Sequence, residues 1–117
     1  MKEFVLIFRL DILSKDAQPD ETQMQIYMQQ WMQWLNTLTE KDRLADSGNH
    51  LQYSGRVLRA DGSISQKPYA SGKESVAGFL NIFAKDLDEA TLLAKDCPIL
   101  QGSESNSVEI REIGSPG

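Results

Sequence analysis

Two segments constrain this chain more than any others. "EFVLIFRL" (3–10) and "SVAGFLNIFA" (75–84) are short, aromatic and β-branched, and they are apolar on both sides. In the first, Phe4, Leu6, Phe8 and Leu10 point one way, and Val5, Ile7 and Arg9 the other. In the second, Val76, Gly78, Leu80, Ile82 and Ala84 share a side, opposite Phe79, Asn81 and Phe83. Strands of this kind need cover on both faces.

The helices available as cover are two. "MQIYMQQWMQWLNTLTEKDRL" places Met24, Tyr27/Met28, Trp31, Trp34/Leu35 and Leu38 at helical spacing. Pro19 suits the first turn, and Asp20 and Glu21 suit the positive end of the helix dipole. "DLDEATLLAKDCP" (86–98) predicts a shorter helix with Asp86 as N-cap and Glu89 placed as in a capping box. Leu87, Ala90, Leu93/Ala94 and Cys97 form its inward stripe, and Pro98 stops it. Between the helices, residues 45–64 break the helical pattern. There "SGN" reads as a turn, "HLQYS" and "RVLR" as strand-like, and "DGS" (61–63) as a hairpin signal. "SVEIREI" (107–113) alternates and reads as a half-exposed final strand.

The element order is βαββαβ with an extra hairpin, which predicts an α+β, ferredoxin-like sandwich. Residues 1–113 form one domain in this reading, with no internal repeat, and 114–117 a disordered tail. Two helices cover only one face of such a sheet. A second copy of the same sheet is the simplest cover for the other face, so a homodimer is expected.

Composition excludes several classes of function. Among 117 residues, 12 basic side chains stand against 17 acidic ones, a net charge of −5. That balance argues against nucleic acid as a partner, since phosphate neutralisation needs a basic face. The longest apolar run, Phe4 to Phe8, is far too short to span a membrane, so no membrane partner is expected. No signal-peptide pattern is expected at the N-terminus. A lone cysteine, Cys97, forms no internal disulfide and fits a cytoplasmic location.

"QKPYASGKES" (66–75) has the look of a phosphate cradle, but it is not a P-loop. Lys67 stands where the first glycine of Gly-x-x-x-x-Gly-Lys-[Ser/Thr] belongs, and Glu74 replaces the magnesium-binding hydroxyl. A strand follows it, not a helix whose N-terminus could face phosphates. A turn shaped by Pro68 and Gly72 is the better reading. His50, the single histidine, is of the residue type that commonly serves as a catalytic base, yet one histidine and one cysteine do not make a metal site. No metal or cofactor is expected. Cys97 closes an apolar stripe, where a buried thiol is inert. Trp31 and Trp34 share a helix face and suit a core, an interface or a pocket wall.

The run "KPYASGKESVAGFLNIFAKDLDEATLLAKDCPIL" (67–100) resembles the YCII-related family, in particular its DGPF branch. Pro68, Tyr69, Ala70, Lys73 and Glu74 match that branch's Pro-Phe-Ala-Glu-x-Lys-Glu segment in part. Gly78-Phe79, Asp86-Leu87-Asp88-Glu89-Ala90, Cys97-Pro98 and Val108-Glu109-Ile110-Arg111 match well. The likeness is strong over 67–100 and weak over 45–66. It implies a dimeric α+β barrel of mostly unknown activity, in a branch often encoded beside sigma factors. Gln66 and Lys67 replace the motif's Asp-Gly, so the role of that aspartate does not carry over. Some YCII proteins pair an aspartate with a histidine on the first helix; the first helix here has none.

Two classes of function are compatible with these residues. One is a small dimeric module that binds a small molecule or plays a regulatory part. The other is a cofactor-free enzyme with an acid/base in a pocket between the sheet and the long helix, for which His50 and Lys73 are the candidates. Ligand-binding candidates are Trp34, Tyr69, Lys73, Glu74 and Phe79, with Trp34, Tyr69 and Phe79 as walls. Lys73 and Glu74 can equally be solvated loop charges.

Overall fold

The computed structural model describes residues 1–11, 20–69 and 74–114. Strand β1 (Lys2–Leu10) leads to helix α1 (Glu21–Glu40) and strand β2 (Leu44–His50). A small hairpin follows, β3 (Val57–Leu58) and β4 (Ile64–Ser65). Strand β5 (Ser75–Ala84), helix α2 (Leu87–Ala94), a 3-10 turn (Pro98–Gln101) and strand β6 (Ser107–Glu112) complete the order. The main sheet runs β2-β5-β1-β6 and every neighbouring pair is antiparallel. The hairpin forms its own two-stranded sheet.

β1 and β5 are therefore the two central strands, as their two-sided apolar character requires. Their register places Leu6 opposite Leu80 and Phe4 opposite Ile82. Phe4, Leu6, Phe8, Leu80 and Ile82 are buried beneath Trp31, Trp34 and Leu38 of α1 and Ala90 and Ala94 of α2. Both helices thus lie on one face, and Cys97 and Ile99 of the following turn seal the same core. Asp20 caps α1, its carboxylate accepting the Gln23 N–H at 2.8 Å while Gln23 Oε1 accepts the Asp20 N–H at 3.2 Å. Asp86 caps α2 in the same way, accepting from Glu89 N at 2.8 Å. The Glu89 side chain does not close the box on Asp86. It accepts the Lys85 N–H at 3.0 Å and pairs with Arg43 at 3.2 Å, tying α2 to the residue before β2.

Three local expectations are corrected. "SGN" is not a chain reversal but lies inside β2. Gly48 has φ +66° and its N–H is held by the Asp46 carboxylate at 2.7 Å, so the turn chemistry is present. It makes an irregularity in a strand whose flanks stay paired with β5, and the register shifts on both sides of Asp46. The strand then ends at His50, and just beyond it Leu51 N donates to Ala77 O of β5 at 2.8 Å. Second, Met24 and Met28 are not inward: each is 42% exposed. Trp31 already lies over Phe8 and His50, near the ends of their strands, so the preceding turns of α1 pass beyond the sheet. Among residues 21–30 only Tyr27 is partly withdrawn from solvent. Third, Leu87 is 54% exposed, because the first residue of α2 stands at the rim while Ala90 and Ala94 make the contact.

Gly48 is the position where backbone shape is most demanding. A Cβ there would sit 1.7 Å from the Phe79 carbonyl oxygen, in a conformation that side chains rarely adopt. Gly48→Ala is expected to cost about 2–4 kcal/mol and lower the melting temperature by roughly 10 °C, measured by calorimetry. An unchanged melting temperature would show that β2 shifts away from β5 without penalty.

Candidate functional site

Three surfaces gather the chemistry-bearing side chains. The first is the sheet end where β2 finishes. His50 pairs with Gly78 of β5, which pairs in turn with Phe8 of β1. Gly78 is required for that close approach, since a Cβ would meet the Asn49 carbonyl oxygen at 2.8 Å. Over this row sits Trp31, with ring centroids 5.1 Å from Phe8, 5.3 Å from Trp34, 6.1 Å from Tyr27 and 5.9 Å from His50. The Phe8 and Trp34 contacts are edge-to-face, which suits the ring quadrupoles. His50 is the exposed member of this aromatic cluster, so its imidazole reaches both solvent and the indole. Burial pushes the Tyr27 phenol up to about 12, with smaller contributions from Cys97 and Tyr53, so it stays protonated at neutral pH.

The second surface is the sheet face opposite the helices. Val5, Ile7, Phe79 and Phe83 stand there, each partly exposed, with Ile7 opposite Phe79 in the register. Polar pairs edge them. Asn81 Nδ2 donates to Glu3 Oε2 at 3.0 Å. Arg9 donates to Glu109 Oε1 from Nε at 3.1 Å and from Nη2 at 2.9 Å, and its Nη1 donates to the Glu74 carbonyl at 2.9 Å. Arg111 lies 3.6 Å from the other oxygen of Glu109. The Arg9 hydrogen bond, more than any other influence, holds the Glu109 carboxyl below its ordinary pKa. Arg9 therefore fixes β6 and the start of β5 to β1 at one corner of this face.

The third surface is the hairpin and its flanks. Tyr69 is 69% exposed there, with the Arg59 guanidinium 6.0 Å from its ring centroid. An open groove of about 480 Å³ runs beside it, lined also by Gln66, Lys67 and Pro68.

The sequence candidates are thus distributed over the molecule. Trp34 is buried on the helix side, where its Nε1 donates to Leu93 O at 3.1 Å. It also borders an outer groove of about 300 Å³ with Gln30, Gln33 and Asp96. Phe79 is on the opposite face, so the two rings do not form walls of one cavity between sheet and helix. That space is filled by Phe8, Trp31 and Trp34 themselves. Glu74 is exposed at the start of β5, and Tyr69 is on the hairpin flank. Lys73 lies outside the described residues. Arg9 and Arg59 had no local signal: the partner of Arg9 is 100 residues away, and the groove beside Arg59 exists only once the hairpin folds.

Among the described residues, no three His, Cys, Asp or Glu side chains stand where they could jointly hold a metal ion. No helix among them is long and apolar enough to cross a membrane. Every buried side-chain nitrogen or oxygen among them has a hydrogen-bond partner.

A YCII-related domain model matches residues 9–114. A search of curated proteins returned no match.

Cys97 is fully buried, and burial pushes its thiol from 9.0 up to about 12. Tyr27 is shifted in the same direction. Both protons are released earlier by the unfolded chain, so their stabilising effect is complete below pH 9 and lost as pH rises toward 12. Urea titrations are expected to show stability falling through that window. A thiol reagent at pH 8 is expected to label Cys97 only after unfolding; rapid labelling of the native protein would contradict the buried assignment.

Proposed function

Since the chain belongs to the YCII-related family, we propose that it acts as a homodimeric, small-molecule-binding or regulatory module of the dimeric α+β barrel type, its two open sheet faces opposed. The observation that carries this reading is the apolar centre of that face, Val5, Ile7, Phe79 and Phe83, over which no helix of the described residues lies. Covering each side chain recovers on the order of 0.5–1 kcal/mol of transfer free energy, a useful sum against a domain stability of about 5–15 kcal/mol. Charge supports the same occupant. The chain carries −5, yet the charged side chains of β1 and β6 on this face are two acids, Glu3 and Glu109, and two arginines, Arg9 and Arg111. The β1–β6 side of the face, with balanced charge, can meet its own copy without net repulsion, while Asp46 of β2, opposite Asn81 in the register, adds one acid at the other margin.

In this arrangement Phe79 is enclosed between the sheets, and Glu74 stands at the mouth of the space with Arg9 beside its backbone. Tyr69 stays on the hairpin flank, and Trp34 contributes only through the outer groove. A cofactor-free enzyme is the second reading, with His50 or Lys73 moving protons. The exposure of His50 beside Trp31 favours it. Membership of the DGPF branch remains part of the proposal, supported by the matches in 67–100.

Light scattering at micromolar concentration is expected to give about twice 13.1 kDa. Ile7→Lys is expected to yield a folded monomer, with an unchanged far-ultraviolet spectrum, because each protomer would otherwise bury an unpaired ammonium group in an apolar interface. A monomeric parent protein, or a dimer indifferent to Ile7→Lys, would sink the proposed interface.

A further inference from the structure

The hairpin β3–β4 and its flanks differ in charge from the rest of the chain. Residues 51–69 hold three bases, Arg56, Arg59 and Lys67, against one acid, Asp61, in a protein whose net charge is −5. Asp61 is occupied at the hairpin tip, where it accepts the Ser63 N–H at 2.9 Å. That hydrogen bond is the main reason its carboxyl lies below the ordinary range. Gly62, at φ +89°, completes the turn. Among the described residues, neither Arg59 nor Lys67 has an ion-pair partner, a condition they share with Arg56, Lys41, Lys85 and Lys95, and they are the two of these that line one groove.

Both of these unpaired cations line the groove of about 480 Å³. Its volume falls in the range of small-molecule sites. Val57 and Pro68 are its partly buried apolar members, and Tyr69 adds a largely exposed ring. Arg59 is already oriented: its Nη1 donates to Ser65 Oγ at 2.6 Å, and its guanidinium carbon is 6.0 Å from the Tyr69 ring centroid. A guanidinium held at one nitrogen keeps its other N–H groups for a planar oxyanion, which it binds as a fork. Lys67 supplies a second, mobile positive charge.

We propose that this groove binds a small organic anion, a carboxylate or phosphate monoester attached to a flat ring, with Arg59 and Lys67 on the anionic group and Tyr69 against the ring. This assignment rests on the reading of the protein as a binding module, and it does not require the dimer. It uses residues on one hairpin and its flanks, so it stands or falls separately from the open sheet face.

The test is titration of the intact protein with benzoate, phenyl phosphate and inorganic phosphate, followed by the NMR signal of the Arg59 Nε–H and by calorimetry. Both ring-bearing anions are expected to saturate at millimolar concentration or below and to move the Arg59 signal, with inorganic phosphate binding more weakly. Arg59→Gln and Lys67→Gln, each exposed and remote from the core, should each weaken binding about tenfold, the effect of one charge-assisted hydrogen bond, without changing the melting temperature. Tyr69→Leu should weaken the ring-bearing anions and leave inorganic phosphate unaffected. No response of Arg59 to any of the three anions, equal affinity for inorganic phosphate, or binding that survives Arg59→Gln would overturn the proposal. Loss of binding sites in a protein still shown to be a dimer would refute this groove alone; a monomer that binds benzoate through Arg59 would refute the interface alone.

Discussion

β1 is hydrogen-bonded on both edges and apolar on both faces, and the rest of the molecule is arranged around that fact. Its edges are satisfied by β5 and β6. On one face Phe4, Leu6 and Phe8 draw the indoles of α1 and the alanines of α2 into a dry core. Small side chains on α2, Ala90 and Ala94, allow that helix to approach the sheet closely, while the bulk comes from Trp31 and Trp34. On the other face, among the described residues, Val5 and Ile7 have their strand neighbours and the rim of charged pairs. Among the described residues both helices lie on the first face and none on this one, and the proposed quaternary arrangement rests on that.

The same constraint decides where chemistry can reside. The space between sheet and α1 is taken up by aromatic rings, so it offers no cavity for a ligand. Functional groups are pushed to the ends and margins of the sheet. Arg9 sits at one corner, His50 at the edge of the aromatic cluster, and the basic hairpin beyond it. Arg9 links three strands through two acceptors, Glu109 and the Glu74 carbonyl. It thereby fixes the position of Glu74, the residue before β5 and the last of the family-like motif segment. The hairpin makes a surface of opposite charge to the body of the protein, and an isolated two-stranded ribbon of this size gains little from its own packing. Binding a ligand along it would supply stabilisation that the ribbon lacks.

Most of the fold was legible because periodicity is a short-range signal. The bounds of β5, the cap at Asp86 and the turn at "DGS" all rest on neighbours within a few residues, whereas Asp20, read as a first-turn acid, is the N-cap of α1, and α2 ends at Ala94, before Pro98, which begins the 3-10 turn. The misreadings share a different cause. "SGN" carries true turn chemistry, but pairing with β5 over the flanking residues overrides the reversal. Met24 and Met28 have the right spacing, but spacing does not reveal where the sheet ends beneath the helix. Strand parity already sets Phe79 apart from Leu80, and grouping Phe79 with Trp34 needed the register of β1 against β5 to be rejected. The Arg9–Glu109 pair and the groove beside Arg59 depend on contacts between distant segments, for which a single sequence contains no local pattern.

The central claim is that the face bearing Ile7 and Phe79 meets its own copy. Isotope-filtered NOE spectroscopy on a mixture of labelled and unlabelled protein tests this directly, because only contacts between protomers survive the filter. The account predicts cross-peaks from the Val5 and Ile7 methyl groups to the Phe79 or Phe83 rings of the partner. Filtered cross-peaks confined to the methionines of α1 or to the hairpin, with none on Val5 or Ile7, would contradict it.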